Sequence, residues 1–376
     1  MAGFGEAGPE PLLSAPGPSE AALVPWQRLP RRTLTIALSV LPVVALANVV
    51  VLVWSLGGID LAGRIVAPGL LPLACAIAFV PMLSNSLRIA LWSRFLGLDL
   101  GFRGGLKVMT GTMITNSITP SSAGGVPIKV LFLIGEGVPA RRAATLISFQ
   151  TAEDAAVLFS LVTLGIGFSG FQLVDFVARQ PDLVHRIEAD LALIGTIALG
   201  VGLVLTGLGG ALAAGWLGES LRNRAAGLLA RLRDFAGHIM SDWLGVMRRG
   251  KAIAFANLLL ALAQWLARFS IAGLVLAAFG QDWHPALYWL LQYLVQAISS
   301  VVPTPGGAGG AEAAFLLLFA PFVGAGVLVA AMSTWRLIFF YLPLAGASLL
   351  FFVLQRAARQ RAVGAAELAA VPQPAE

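Results

Sequence analysis

The sequence predicts an all-α integral membrane protein with six spanning helices plus two oppositely oriented re-entrant helical hairpins, an inverted repeat. Three observations carry this reading. Of the 376 residues, 58% are hydrophobic and only 12% charged, about half of the roughly 25% charge of a soluble domain. Several windows of about 20 residues, the length that crosses a bilayer, are almost free of charge. One short phrase also occurs twice: Thr119-Pro120-Ser121-Ser122-Ala123-Gly124-Gly125 returns 185 residues later as Thr304-Pro305-Gly306-Gly307-Ala308-Gly309-Gly310, identical at five of seven positions.

Residues 1–29 are rich in Pro, Gly, Ala and Ser and have no basic segment leading into an apolar core, so they read as a disordered tail rather than a signal peptide. The membrane domain occupies 30–361, with a second disordered tail over 362–376. Its first span runs from about Leu34 to Trp54 and its second from about Leu70 to Phe95, with Asn85, Arg88 and Arg94 in the final turns. The first phrase then sits between arms Gly104–Ile118 and Val126–Gly135, of 15 and 10 residues. Arms this short suit a re-entrant hairpin better than two crossings. A long helix to about Ser169, an aqueous loop over 171–190 and a span from about Leu191 to Leu212 follow.

The segment 218–251 is basic and amphipathic: Leu228, Leu232, Phe235, Ile239, Trp243 and Met247 recur at helical spacing beside Arg222, Arg224, Arg231 and Arg233. It fits either an anionic membrane surface or the protein's own face. A span over Ile253–Phe279 leads to the second phrase, held between Leu287–Val301 and Ala311–Phe319. The last span covers about Val327 to Val353.

Charge sets the expected topology. With both termini cytoplasmic and neither hairpin crossing, the basic loops at 28–32, 94–107, 141–142, 222–251 and 356–361 all fall on one side, as the positive-inside rule requires. Three crossings then separate the two phrases, so the hairpins enter from opposite faces, an arrangement that recurs in transporters. Outside the phrases the repeat is weak; at the same offset Leu131 matches Leu316 and Ser148 matches Ser333.

Charge inside a membrane is costly and marks candidate sites. Glu153 and Asp154 lie about 12 residues, or ~18 Å, into the helix that begins near Arg142, and Arg336 lies nearly as deep in the last span. The pseudo-repeat places Arg336 one turn from Asp154, so the two are expected either to pair or to serve separately, Arg336 on an anionic headgroup and a carboxylate as a proton-coupling group. Lys129 and Glu312 belong to the returning arms beside the breaks at Thr119, Pro120, Gly124 and Gly125 and at Thr304, Pro305, Gly309 and Gly310. The N-termini of those arms offer unpaired N–H groups to an anion. Gln150, Asn116, Gln292 and Gln296 add neutral polar groups, as lining or as interhelical hydrogen-bond partners.

Other chemistries find no support. No Gly-Lys-Ser/Thr follows either phrase, and Gly-x-Ser-x-Gly and His-Glu-x-x-His do not occur. Cys75 is the only cysteine and the three histidines are widely spaced, so no metal site, cofactor or disulfide is expected. The net charge of +6 is ascribed to loops on one side of a membrane rather than to nucleic-acid binding.

Pro303 through Glu312, followed by Trp335-Arg336 and Tyr341-Leu342-Pro343, resembles a signature of the lysylphosphatidylglycerol synthase transmembrane-region family, also called flippase-like; Thr119-Pro120 with Gly124-Gly125 and Pro127 is similar to the family's other signature. The resemblance covers roughly residues 35–355, with Val126, Gln150 and Thr151 departing from the usual pattern. It implies a bacterial inner-membrane protein related to the flippase half of enzymes that make and move aminoacylated phosphatidylglycerol, with an anionic or aminoacylated phospholipid as partner. The chain ends at 376, shortly after its last span, so the soluble aminoacyl transferase domain is expected to be missing and the protein is expected not to be an enzyme. The leading expectation is a lipid translocase with a midplane headgroup site between the hairpins. The alternatives are a non-transporting lipid-binding partner of a membrane lipid-synthesis enzyme and, less favoured, a membrane-embedded lipid-modifying enzyme.

Overall fold

The computed structural model describes residues 65–118, 125–170, 219–302, 304 and 306–369, with isolated helical positions between 192 and 210. Among the described residues every regular element is helical. The expected tails at 1–29 and beyond 369, the span at 34–54, the loop at 171–190, most of the span at 191–212 and the phrase positions 119–124, 303 and 305 lie outside them.

Four stretches are long and apolar enough to cross a membrane: Leu70–Phe95, Ala140–Phe168, Lys251–Ala278 and Gly326–Arg356. They coincide with four of the six expected spans. The first is a broken rod made of α1 (Leu70–Ile77) and α2 (Val80–Phe95). Pro81 explains the break, because it has no N–H and its ring would meet the carbonyl of Ile77 in a continuous helix. The other long elements are α5 (Ala140–Phe168), α7 (Lys251–Ala278), and the pair α10 (Ala325–Arg336) and α11 (Leu342–Ala369). A π-helical turn, Leu337–Tyr341, joins that pair. Pro343 lies just beyond it, and the widened turn relieves the clash its ring would have with the Phe339 carbonyl.

Each phrase is flanked by a packed helix pair. α3 (Phe102–Ile118) contacts α4 (Gly125–Gly135), and α8 (Pro285–Val301) contacts α9 (Gly310–Phe319). The returning arms are 11 and 10 residues long and the outgoing arms 17 each, about 25 Å of helix at 1.5 Å per residue.

Helix α7 is the hub, packing against α1, α2, α5, α8 and α10. In lipid, helices gain nothing by hiding from water, so close approach and hydrogen bonds hold them together. The Ser84 hydroxyl donates to the Leu260 carbonyl at 2.6 Å, linking α2 to α7. Gly105 lets α3 press on α2, since a Cβ there would lie 2.5 Å from the Ser86 carbonyl oxygen.

The amphipathic segment is one helix, α6 (Glu219–Arg249). Its C-terminal part is docked on α5: Asp242 accepts from Arg142 at 2.7 Å and from Thr145 at 3.1 Å, and the Trp243 indole donates to Ser148 at 3.2 Å. Met240, Leu244 and Met247 stay exposed on an adjoining stripe, so packing on the protein uses only part of the apolar surface. At the other end of the chain, α11 continues to Ala369, whereas the sequence reading has a disordered tail from 362. The run is rich in Ala, the strongest helix former.

Candidate functional site

Among the described residues, the charges within the apolar helices fall into two closed clusters and one open position. In the first cluster, Arg88 of α2 is 0% exposed. Its guanidinium donates to Glu153 through Nε at 3.2 Å and Nη2 at 2.8 Å, to Asp154 through Nη1 at 2.8 Å, and to the Gln150 carbonyl at 3.0 Å. The Trp92 indole donates to the other Glu153 oxygen at 2.9 Å. Asp154 also accepts from Gln264 at 2.8 Å and Trp265 at 3.1 Å, both on α7. Lys129 reaches the Gln150 amide oxygen at 2.6 Å. Two carboxylates thus share one arginine and are supplied with further donors, which is what buried charge requires. This clasp ties α2, α5 and α7 together.

The second cluster belongs to the repeated phrase. Gly306, Gly307 and Gly309 have φ of +61°, +67° and +82°, a region open mainly to glycine, so the phrase turns sharply into α9. There the Glu312 carboxylate accepts the Gly309 N–H at 2.7 Å. Its other oxygen lies 2.8 Å from Arg336 Nε, a contact held by charge without hydrogen-bond alignment. Arg336 is 3% exposed, donates to the Gly306 carbonyl at 2.9 Å, and sits over the Phe340 ring at 4.4 Å. Thr304 donates to the Ala308 carbonyl at 2.8 Å.

Two expectations are corrected here. Arg336 does not pair with Asp154; each has a nearer opposite charge on its own side, Glu312 and Arg88 respectively. At the N-terminus of α9, expected to offer its N–H groups to an external anion, the Gly309 N–H is taken by Glu312, one turn inside the helix, as a cap. α4 and α9 begin at Gly125 and Gly310, one residue before the expected Val126 and Ala311, while Thr119, Pro120, Gly124 and Pro305 lie outside the described residues.

Between the clusters is a cavity of about 290 Å³ lined by α2, α3, α7, α8, the second phrase and the π-helical turn. That volume is close to the lower end of ligand pockets, about 300–1,000 Å³. Met82, Met109, Met113, Trp335, Phe339 and Phe340 form apolar wall, and Asn85, Gln292, Gln296 and Arg268 are polar. Arg268 lies ten residues before the end of α7, ~15 Å deep. It donates to Gln296 at 2.8 Å and rests on the Phe339 ring at 4.6 Å. Its Nε has no hydrogen-bond partner, and no carboxylate pairs with it among the described residues. Stacked rings support it from behind: Phe315–Phe319, Phe315–Trp335 and Trp335–Phe339 have centroids 4.2, 4.9 and 5.1 Å apart. Gln292 is 0% exposed, and neither its amide oxygen nor its amide nitrogen is bonded. Such groups cost about 1–3 kcal/mol each when unpaired, so a polar moiety in the cavity would be held by them.

Sequence reasoning missed Arg268 and the role of Arg88. The signal was present, because the rule that flagged Arg336 applies to any arginine inside an apolar run. Arg268 stands in a stretch otherwise free of charge from Ile253 to Phe279.

The model of the transmembrane region of lysylphosphatidylglycerol synthase matches residues 33–347. A UPF0104 membrane protein of Archaeoglobus fulgidus is 28% identical over 269 residues, covering 68% of this chain and 77% of its own length. With that match over most of its length and several apolar helices long enough to cross a membrane, this chain belongs to the lysylphosphatidylglycerol synthase transmembrane-region family.

Proposed function

We propose that this protein binds a membrane phospholipid by its headgroup and moves it between leaflets, as a flippase-like translocase of the bacterial inner membrane. The observation that carries the reading is the cavity: one uncompensated cation, Arg268, and one unpaired buried amide, Gln292, face a wall of Met and aromatic side chains. Cation and amide suit a lipid headgroup, and adaptable methionine side chains suit acyl chain. The reading is not enzymatic. The lining contains no carboxylate, histidine or cysteine among the described residues, and Glu153 and Asp154 are engaged by Arg88.

The proposed topology has six crossings, cytoplasmic termini and hairpins re-entering from opposite faces. Contacts support it. At the base of the first hairpin Lys107 pairs with Glu136, close to the start of α5. At the base of the second, Tyr288 donates to the Asp282 carbonyl and packs on Phe319, next to the end of α7. Because α7 separates these ends by ~42 Å of helix, the hairpins approach the cavity from opposite directions.

The test is reconstitution in liposomes with fluorescent and aminoacylated phospholipids. Movement between leaflets that is lost in Arg268→Gln and Arg336→Ala, both still folded and inserted, is expected. Absence of movement for every lipid, with the protein inserted, rejects the translocase. The non-transporting alternative, a lipid-binding subunit, is favoured by one feature: both ionised clusters are fixed clasps that tie neighbouring helices together. Lipid retained through purification without movement would decide for it.

A further inference from the structure

We infer that the cavity is selective for an anionic, hydroxyl-bearing phosphodiester headgroup and discriminates against an aminoacylated one. The inference rests on the proposed lipid-binding role of that cavity and goes further, to the class of headgroup. Charge balance is the first argument. Arg336 is neutralised by Glu312, and the two carboxylates Glu153 and Asp154 are balanced by Arg88 together with Lys129, which is hydrogen-bonded to Gln150 of the same cluster. Among the described residues, Arg268 is therefore the cation of the lining that no carboxylate offsets, and no acid lines the cavity.

One excess positive charge matches one negative charge, and a phosphodiester supplies one. An aminoacyl headgroup adds an ammonium, which gains from a carboxylate or from an open aromatic face. Among the described residues no carboxylate lines the cavity, and the Phe339 and Phe340 rings each already carry a guanidinium, that of Arg268 and that of Arg336. Hydrogen-bonding capacity is the second argument. The unbonded Gln292 amide presents one acceptor and a donor group, which a hydroxyl, both donor and acceptor, satisfies. Asn85, also in the lining, spends its NH₂ on the Pro81 carbonyl and Gln264.

The experiment uses the full chain in nanodiscs. Binding of phosphatidylglycerol, lysyl-phosphatidylglycerol, phosphatidylcholine and phosphatidylmethanol, a phosphodiester without headgroup hydroxyls, is measured by native mass spectrometry. Phosphatidylglycerol is expected to bind tightest. Arg268→Gln should weaken it by about 10- to 100-fold, the worth of a charge-assisted hydrogen bond, with part recovered in Arg268→Lys. Arg268→Glu should reverse the order in favour of the lysyl lipid. Gln292→Leu should erase the preference for phosphatidylglycerol over phosphatidylmethanol, and it reads the same site should the arginine variants fail to fold. Lysyl-phosphatidylglycerol binding the wild-type protein as tightly as phosphatidylglycerol overturns the inference, as does unchanged phosphatidylglycerol affinity in a folded Arg268→Gln. Selective binding without movement between leaflets leaves the inference standing and removes only the translocase. Absence of binding by all four lipids removes both.

Discussion

Replacing Arg88 by Met tests whether the charged clasp is a structural tie. The substitution keeps most of the side-chain volume and removes the cation that serves two carboxylates. Glu153 and Asp154 are left with side chains 10% and 27% exposed, supported only by Trp92, Gln264 and Trp265. Breaking a buried ion pair by removing one partner costs about 3–5 kcal/mol, mostly the desolvation of the charge left behind. The partial exposure of Asp154 and its two neutral donors place the expectation at the lower end, about 3 kcal/mol, a fall in melting temperature of about 4 °C for a chain of 376 residues. The assay is tryptophan-fluorescence melting of the purified protein in one detergent. The triple variant Arg88→Met, Glu153→Gln, Asp154→Asn removes the orphaned charges together with their partner and should recover most of the loss. A single variant as stable as wild type, or a triple variant no better than the single, would refute the argument, since either means that the carboxylates do not depend on Arg88.

Two further outcomes follow from the geometry. Glu312→Gln keeps a partial cap on α9 but frees Arg336 of its counter-charge; anionic lipid should then bind about 10-fold tighter through a second uncompensated cation, with a stability loss of about 1 kcal/mol. Equal or weaker binding in titrations of a folded variant would show that Arg336 does not face the ligand. In a Cys75→Ala background, cysteines at Gly170 and Asp282 should react with an impermeant maleimide from outside the cell and one at Asn223 only after permeabilisation. The reverse pattern would sink the proposed orientation.

Much of the fold was legible because a bilayer constrains sequence so strongly. Any helix exposed to lipid must be apolar over its length and bond its own backbone, so hydropathy alone located the four spans among the described residues. The short arms around the second phrase were legible for a related reason: Pro and paired Gly interrupt an apolar run, and Gly306, Gly307 and Gly309 do adopt positive φ there. Pairing between charges was not legible. The repeat placed Arg336 one turn from Asp154, but a repeat in sequence says nothing about which of several buried acids a cation reaches first. Glu312 is anchored to the Gly309 N–H, which sets it beside Arg336.

By itself, then, the sequence determined that this chain is a multi-helix membrane protein, where four apolar spans and the break at the second phrase lie, and to which family it belongs. Each of these is written in local runs of residues. Tertiary structure alone decided which charges cancel and which one remains. Glu153 and Asp154 are balanced by Arg88 and Lys129, and Glu312 by Arg336, while Arg268 is held by an amide and an aromatic ring that leave its charge intact. That remainder is a sum over helices distant in sequence, brought within a few ångströms only by the packing around α7.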